Sequence, residues 1–426
     1  MHRSCCRLRL ATALLAVALL GPGLTAWAIS LTLSPNADAS LLEVSPDNSI
    51  GAQAYVLSGR TQNGPHVRTL YRFDLSALPT NALIHVVTLR LDCLKRSSEP
   101  MCVADCSFGL HRMLRPWGEG TNYAAQSPGQ GVPASPGDAT WNNAFHPTNA
   151  WATPGGLAGV DFSTAESSFQ YITSPDASPF YFESTPELVD DVQSWVRDPG
   201  TNHGWMMIAN PEEVLCTARR FNSRESFDGP PQLMIEYTIP PTVTVLYTQT
   251  NPVTGWFEQR VRITNHPGSG TEAVRLLLGG LAPNLQVMNA CGFTNGVPYV
   301  QSFGAVPVGE PVEFVIDYNL NGGGTPAPVF TVTAAAVVTL TPAGAVTVQP
   351  IQRVLSLDGP TLLLQFATQS NRVYYVQFSS NLLAWQTAPP AITGSGNARL
   401  WLDHGQPQTD SAPGLMGARF YRVLSN

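Results

Sequence analysis

The aromatic residues Trp117, Tyr123 and Trp141 and the arginines Arg72, Arg219, Arg220 and Arg224 are the side chains of this sequence best suited to meeting a ligand. A flat aromatic face matches the C–H face of a pyranose ring and gives up little side-chain entropy on binding. An aromatic residue is equally at home in a core, so Trp141, flanked by Asn142 and Asn143 in a turn, has both a packing role and a sugar-stacking role open to it. Tyr71, Phe73 and Trp195 read as core. The four arginines would form a fork for a carboxylate, and hence for a uronate polymer, if they shared a face. The alternative is that they pair with Asp74, Glu225 or Asp228. Carbohydrate contact is assigned to Trp117, Trp141, Arg220 and Arg224.

Glu119 and Glu225 are the acids that a glycosidase or lyase would need in one cleft. They suit equally well the orienting of arginine or loop backbone groups. The sequence contains no His-Glu-x-x-His, no Gly-x-Ser-x-Gly and no cysteine in a catalytic context, so no catalytic residue is assigned and the chain reads as a non-enzyme. Lys95 is the one lysine among 23 basic residues, which excludes a phosphate loop ending in Gly-Lys-Ser/Thr. Asp38, with Asn36 and Asn48 nearby, offers oxygen ligands for a structural calcium but lacks an Asp-x-Asp-x-Asp loop; no other cofactor is expected. The histidines are scattered singly, none with a partner at metal-ligand spacing. In an exported chain Cys93, Cys102 and Cys106 are expected to staple the insert 94–105 by a disulfide, the lesser alternative being a metal site that adds Cys216.

These residues must be positioned by β-structure. The chain has 426 residues, enough for two to four domains, with only 12% charged residues and with 36 glycines and 36 prolines; such weakly charged, turn-rich composition reads as all-β. Residues 1–28 have the layout of a secretory leader: Arg3, Arg7 and Arg9, an apolar run at 11–20, a Gly21-Pro22-Gly23 break, and Ala26-Trp27-Ala28 at the cleavage point. Removing it takes away three arginines and no acid and moves the formal charge from −7 to −10, which argues against nucleic acid or an anionic membrane as partner. No later segment has about 18 consecutive apolar residues, so no transmembrane segment is expected.

Short alternating runs at 54–57, 69–73, 84–91, 108–113, 204–208 and 233–237 predict strands of an N-terminal jelly-roll sandwich spanning 29–240. One helix interrupts them, with Thr185 as cap, Pro186 in the first turn, apolar residues at 188, 192, 195 and 196, and Pro199 as the stop. Its apolar face is expected to cover an open end of the sandwich. The segment 123–179 reads as a long loop, held in order by Trp141, Phe145, Trp151 and Phe162. Ile239-Pro240-Pro241 marks a boundary. Runs at 242–247, 256–264, 273–278, 312–318 and 329–338 predict an immunoglobulin- or fibronectin-like domain over 241–350, with Asn321-Gly322-Gly323-Gly324 as a hairpin tip. Runs at 362–366, 373–379, 399–403 and 419–423 predict a small C-terminal β module over 351–426 of the kind assumed to serve surface association.

An ordered series of marks runs through the first domain. It comprises Tyr71-Arg72-Phe73-Asp74-Leu75, Trp117-Gly118-Glu119, Thr140-Trp141-Asn142-Asn143, Trp151 with Pro154-Gly155-Gly156, Leu188 to Trp195, Phe221-Asn222-Ser223-Arg224-Glu225, and Pro230-Pro231-Gln232-Leu233 with Tyr237. In these residues, over about half of the chain, it resembles the DNRLRE domain family of secreted β-sandwiches grouped with carbohydrate-binding modules. The resemblance implies a secreted or surface-held, non-catalytic, monomeric protein that binds polysaccharide or a cell-surface glycan. The alternatives are a structural or adhesive surface protein with no small-ligand site, and a polysaccharide lyase or hydrolase.

Overall fold

The strand His66–Phe73 shows how this sequence makes a layered domain. Successive side chains of a strand point to opposite faces. Here Tyr71 and Phe73 enter one core while Leu70 enters another, so the strand is buried on both sides. The computed structural model describes residues 28–97, 105–125, 129–266, 272–320, 325–337, 340–357, 361–415 and 417–426. Residues 1–27 of the expected leader, Cys102 and the expected hairpin tip at 321–324 lie outside them.

The protein is all-β, with one α-helix among the described residues. Strand His66–Phe73 lies within an eight-stranded antiparallel sheet. Trp205–Asn210, Cys106–Met113 and Phe162–Ile172 follow on one side, Tyr55–Arg60, Arg219–Asn222 and Cys93–Arg96 on the other, and Pro35–Leu42 also pairs with it. A four-stranded sheet of Ile29–Leu33, Gln232–Thr238, Leu83–Leu91 and Phe180–Phe182 faces it. The first and last strands of this unit pair with each other, which closes the sandwich. Phe108, Phe182, Trp205, Phe221, Leu233 and Ile235 fill the space between. The helix is Pro186–Arg197. Thr185 accepts a hydrogen bond from the Leu188 N–H at 3.0 Å, and Leu188, Val192, Trp195 and Val196 face the core, with Trp195 edge-on to Trp205 at 4.6 Å.

The stretch expected to be a long loop is two different things. Its last third holds the eleven-residue strand Phe162–Ile172, which pairs with Cys106–Met113 and ends the large sheet. Its first part, together with Trp117, lies against the outer face of the same sheet. There Trp117, Trp141, Ala144 and Trp151 cover Ala37, Ala39, Leu41, Leu70, Met206 and the strand residue Phe162 in a second core.

Arg68 ties this layer down. Its guanidinium makes a two-pronged pair with Glu212 at 2.8 and 2.7 Å, donates to the carbonyls of Gly155 and Gly156 at 2.7 and 3.3 Å, and lies 5.5 Å from the Trp141 ring centre. Gly155 is required there: its φ is +85° and a Cβ would sit 2.6 Å from the Trp141 ring.

Beyond residue 240 two smaller sandwiches follow. The first packs the sheet of Thr242–Thr250, Phe257–Thr264, Pro311–Leu320 and Leu285–Val287 against that of Gly292–Thr294, Val297–Ala305, Ala273–Gly279 and Val329–Ala335. The second packs Thr347–Gln349, Phe420–Ser425, Val373–Ser379 and Gln386–Thr387 against Ile351–Ser356, Leu362–Ala367 and Ala398–Asp403. Thr347–Gln349 pairs with the last strand, so the third unit takes in residues before 351. Gln406 of the third unit joins it to the second: its Oε1 accepts from the Phe303 N–H at 3.0 Å and its carbonyl from the Val315 N–H at 3.1 Å. Among the described residues no helix is long and apolar enough to cross a membrane.

Replacing Arg68 by alanine leaves Glu212 and two carbonyls without their charged partner. The expected loss is about 2–3 kcal/mol of stability, read as a lower urea midpoint with red-shifted tryptophan emission as the outer layer lifts. A loss below about 0.5 kcal/mol, the range of an ordinary surface substitution, would show that the layer holds without this arginine.

Candidate functional site

The outer layer covers only part of the sheet face. Beside it, over the strands Phe162–Ile172, Cys106–Met113 and Trp205–Asn210, an open groove of about 790 Å³ remains. Register explains its shape. Phe169 pairs with Gly109, which pairs with Ile208, while Tyr171 pairs with Ser107, which pairs with Asn210. Gly109 leaves the middle strand bare, and the Glu166 carboxylate lies over it: a Cβ on Gly109 would meet Glu166 Oε1 at 2.4 Å. Arg68 and Glu212 form the wall shared with the outer layer.

Phe169 and Tyr171 are 63% and 54% exposed. They stand on one face of the end strand, about 7 Å apart along it. Polar groups surround them. Asn210 Nδ2 donates to Glu166 Oε1 at 2.9 Å, and His111 Nδ1 meets the Ser163 carbonyl at 3.0 Å. A carbonyl only accepts, so the proton is on Nδ1 and Nε2 is left as an acceptor. Burial pushes the His111 imidazole below its ordinary value, outweighing the Ser163 hydrogen bond and the Glu166 charge, so the ring is neutral near pH 7.

The residues assigned to sugar contact from the sequence lie elsewhere. Trp117 is 1% exposed, its Nε1 donating to the His203 carbonyl at 2.8 Å, and Trp141 is 8% exposed, stacked with His66 at 6.4 Å. Neither presents a face to a ligand, because burying each in the outer layer removes far more apolar surface from water than a turn position would. Tyr123 is exposed. The four arginines form no common fork. Arg72 lies 5.3 Å from the Trp117 ring, Arg219 is buried and donates to the carbonyls of residues 216–218, and Arg220 stacks 3.9 Å from the Tyr55 ring. Arg224 pairs with Glu119 and Glu225.

Those two glutamates therefore meet, but around a guanidinium. Glu119 Oε1 also accepts from the Asp38 N–H at 2.8 Å, and Asp38 Oδ2 accepts from the Arg224 N–H at 2.7 Å. Oxygens of Asp38, Glu119 and Glu225 lie within 4.8 Å of one another. They do not fit a calcium ion, which takes six to eight oxygens, since Arg224 already supplies the positive charge among them. Asn36 and Asn48 are turned to Arg72 and to the Gln130 carbonyl.

The expected cysteine staple is also corrected. Cys93 and Cys106 are free thiols packed in the first core, where burial raises both. Cys216 is disulfide-bonded instead, so the alternative four-ligand metal site is closed too. Cys102 lies outside the described residues. No family model and no curated protein matches the chain.

Asp38 is 1% exposed and its Oδ1 has no hydrogen-bond partner. Burial pushes its carboxyl well above the usual range; the Arg224 N–H opposes this, and the charges of Glu225 and Glu119 add to it. A raised acid contributes stability that is present below its unfolded pKa, about 3.9, and is lost as the pH rises through the folded value. Asp38→Asn is therefore expected to melt above the unaltered protein near neutral pH, the gap closing toward pH ~4. An equal deficit at both pH values in a thermal melt would contradict this.

Proposed function

We propose that the protein is an exported, non-catalytic glycan-binding protein and that the groove beside the outer layer is where it meets the glycan. The observation that carries this reading is the exposed Phe169 lining the groove with the hydrogen-bonding groups of Glu166, Asn210 and His111, and the exposed Tyr171 two residues further along the same strand face. Aromatic faces beside a few directional polar groups suit a sugar, which has apolar C–H faces and a rim of hydroxyls. The resemblance to DNRLRE domains supports the same class of ligand. The disulfide at Cys216 supports an oxidising compartment and hence export.

A neutral polymer fits better than a uronate. The formal charge is −7, and the groove holds Glu166, Glu187 and Glu212 with Arg68 spent on Glu212. The carboxylates also favour binding over hydrolysis. Glu166 is engaged by Asn210 and Glu212 by Arg68, and Glu119 and Glu225 share Arg224.

A glycan array with the chain lacking residues 1–28 is expected to retain one or more neutral polysaccharides. Phe169→Ala, at an exposed site, is expected to weaken that binding about tenfold, or ~1.4 kcal/mol, with an unchanged melting temperature. A blank array would leave the sandwiches as spacers of an adhesive surface protein, and product release from a labelled polysaccharide would make the protein an enzyme.

A further inference from the structure

The second and third sandwiches meet at a buried cluster that the groove does not involve. Glu258 on Phe257–Thr264 and Asp317 on Pro311–Leu320 belong to the second unit, and His404 follows Ala398–Asp403 of the third. Glu258 and Asp317 are 6% and 1% exposed and the His404 side chain 4%. His404 Nε2 lies 3.5 Å from Glu258 Oε1 and 3.4 Å from Asp317 Oδ1. Both distances exceed the usual 2.7–3.2 Å of an N–H···O bond. Accordingly Nε2 and Oδ1, both buried, are in ion-pair range but have no close hydrogen-bond partner. An orphaned pair of this kind calls for a third party.

We infer that Glu258, Asp317 and His404 form a binding site for a single divalent transition-metal ion, of the Zn²⁺ type, which bridges the second and third sandwiches. Three observations converge on it. An ion with bonds of about 2.0–2.1 Å in tetrahedral geometry has ligand atoms about 3.3–3.4 Å apart, close to the separations from Nε2. One imidazole nitrogen with two carboxylate oxygens is a donor set for zinc, and too few oxygens for calcium.

The surrounding contacts are those that orient metal ligands. His404 Nδ1 meets Thr361 Oγ1 at 3.1 Å, Asn251 Nδ2 donates to Glu258 Oε1, Gln249 Nε2 lies 3.3 Å from Glu258 Oε2, and the Asp317 N–H donates to Asn289 Oδ1 at 3.0 Å. A recess of about 450 Å³, lined by Glu258 and His404 with Tyr247, Asn251 and Arg260, gives the ion a way in and room for a water as fourth ligand. The sequence hid this set because the ligands are 59 and 87 residues apart and come from two units.

The test uses the chain lacking residues 1–28, stripped with EDTA and titrated near neutral pH with Zn²⁺ alone and then with Co²⁺ alone. One equivalent of either ion is expected to bind, Co²⁺ with the intense visible absorption of a tetrahedral site, and Zn²⁺ is expected to raise the melting temperature by several degrees. His404→Gln and Asp317→Asn are expected to lower the affinity about tenfold or more and to abolish the thermal shift. Failure of the unaltered chain to take up one saturating equivalent overturns the proposal, as does unchanged affinity in both variants. If neither variant folds, the Co²⁺ titration of the unaltered chain decides alone. Glycan retention on the array is indifferent to all of these outcomes.

Discussion

One guanidinium sets the shape of the first domain's working face. A sheet of eight strands has two faces, and in this protein only the inner one is covered by a second sheet. The outer face is covered by chain with little regular structure, fastened at single points such as the Glu119 carboxylate on the Asp38 N–H. Arg68 adds the strongest of these, reaching from the sheet to two carbonyls of the overlying turn while Glu212 neutralises it. A lysine could supply the charge but not the fork that engages carboxylate and carbonyls in one plane.

The same residue decides where covering stops. On one side of Arg68 lie Trp117, Trp141 and Trp151, shut away in the second core; on the other lies the open groove, with the Glu166 carboxylate over Gly109 and the exposed Phe169 beside it. Burial and exposure on one sheet face are thus parts of one arrangement. The floor is made of paired strands and its wall is a charged pair, so the groove exists in the unliganded chain. A preformed site of this kind gives up little freedom on binding.

The charges elsewhere follow a common economy. Arg224 sits among Asp38, Glu119 and Glu225, Arg419 among Asp403 and Asp410, and Arg260 and Arg262 share Glu313. In a chain with so few charged residues, these arginines are matched by acids close at hand. At the junction of the second and third sandwiches, by contrast, two carboxylates face one imidazole without a close hydrogen bond.

Much of the architecture was legible in the chain itself. Strands with apolar residues on every second position, such as Leu83–Leu91, and the helix with Thr185, Pro186 and its apolar stripe were readable because their signals are local: rotamers, caps and period are properties of neighbouring residues. The end strand Phe162–Ile172 was not, since Phe169 and Tyr171 face solvent, a run of serine, threonine, alanine and glutamate separates them from Phe162, and bulges break the period. Missing that strand meant missing the groove, although the spacing of Phe169 and Tyr171 across one glutamine was a signal available to be read.

By itself, then, the sequence determined the all-β class, the helix, and the presence of tryptophans and arginines able to pack or to bind. Only the tertiary structure decided which did what. It buried Trp117 and Trp141, spent Arg224 on two glutamates, left Cys93 and Cys106 as core thiols, and brought His404 to Glu258 and Asp317. Burial and pairing depend on which distant segments share a face, and a linear pattern of period two says which residues lie together on a strand but not what lies above them.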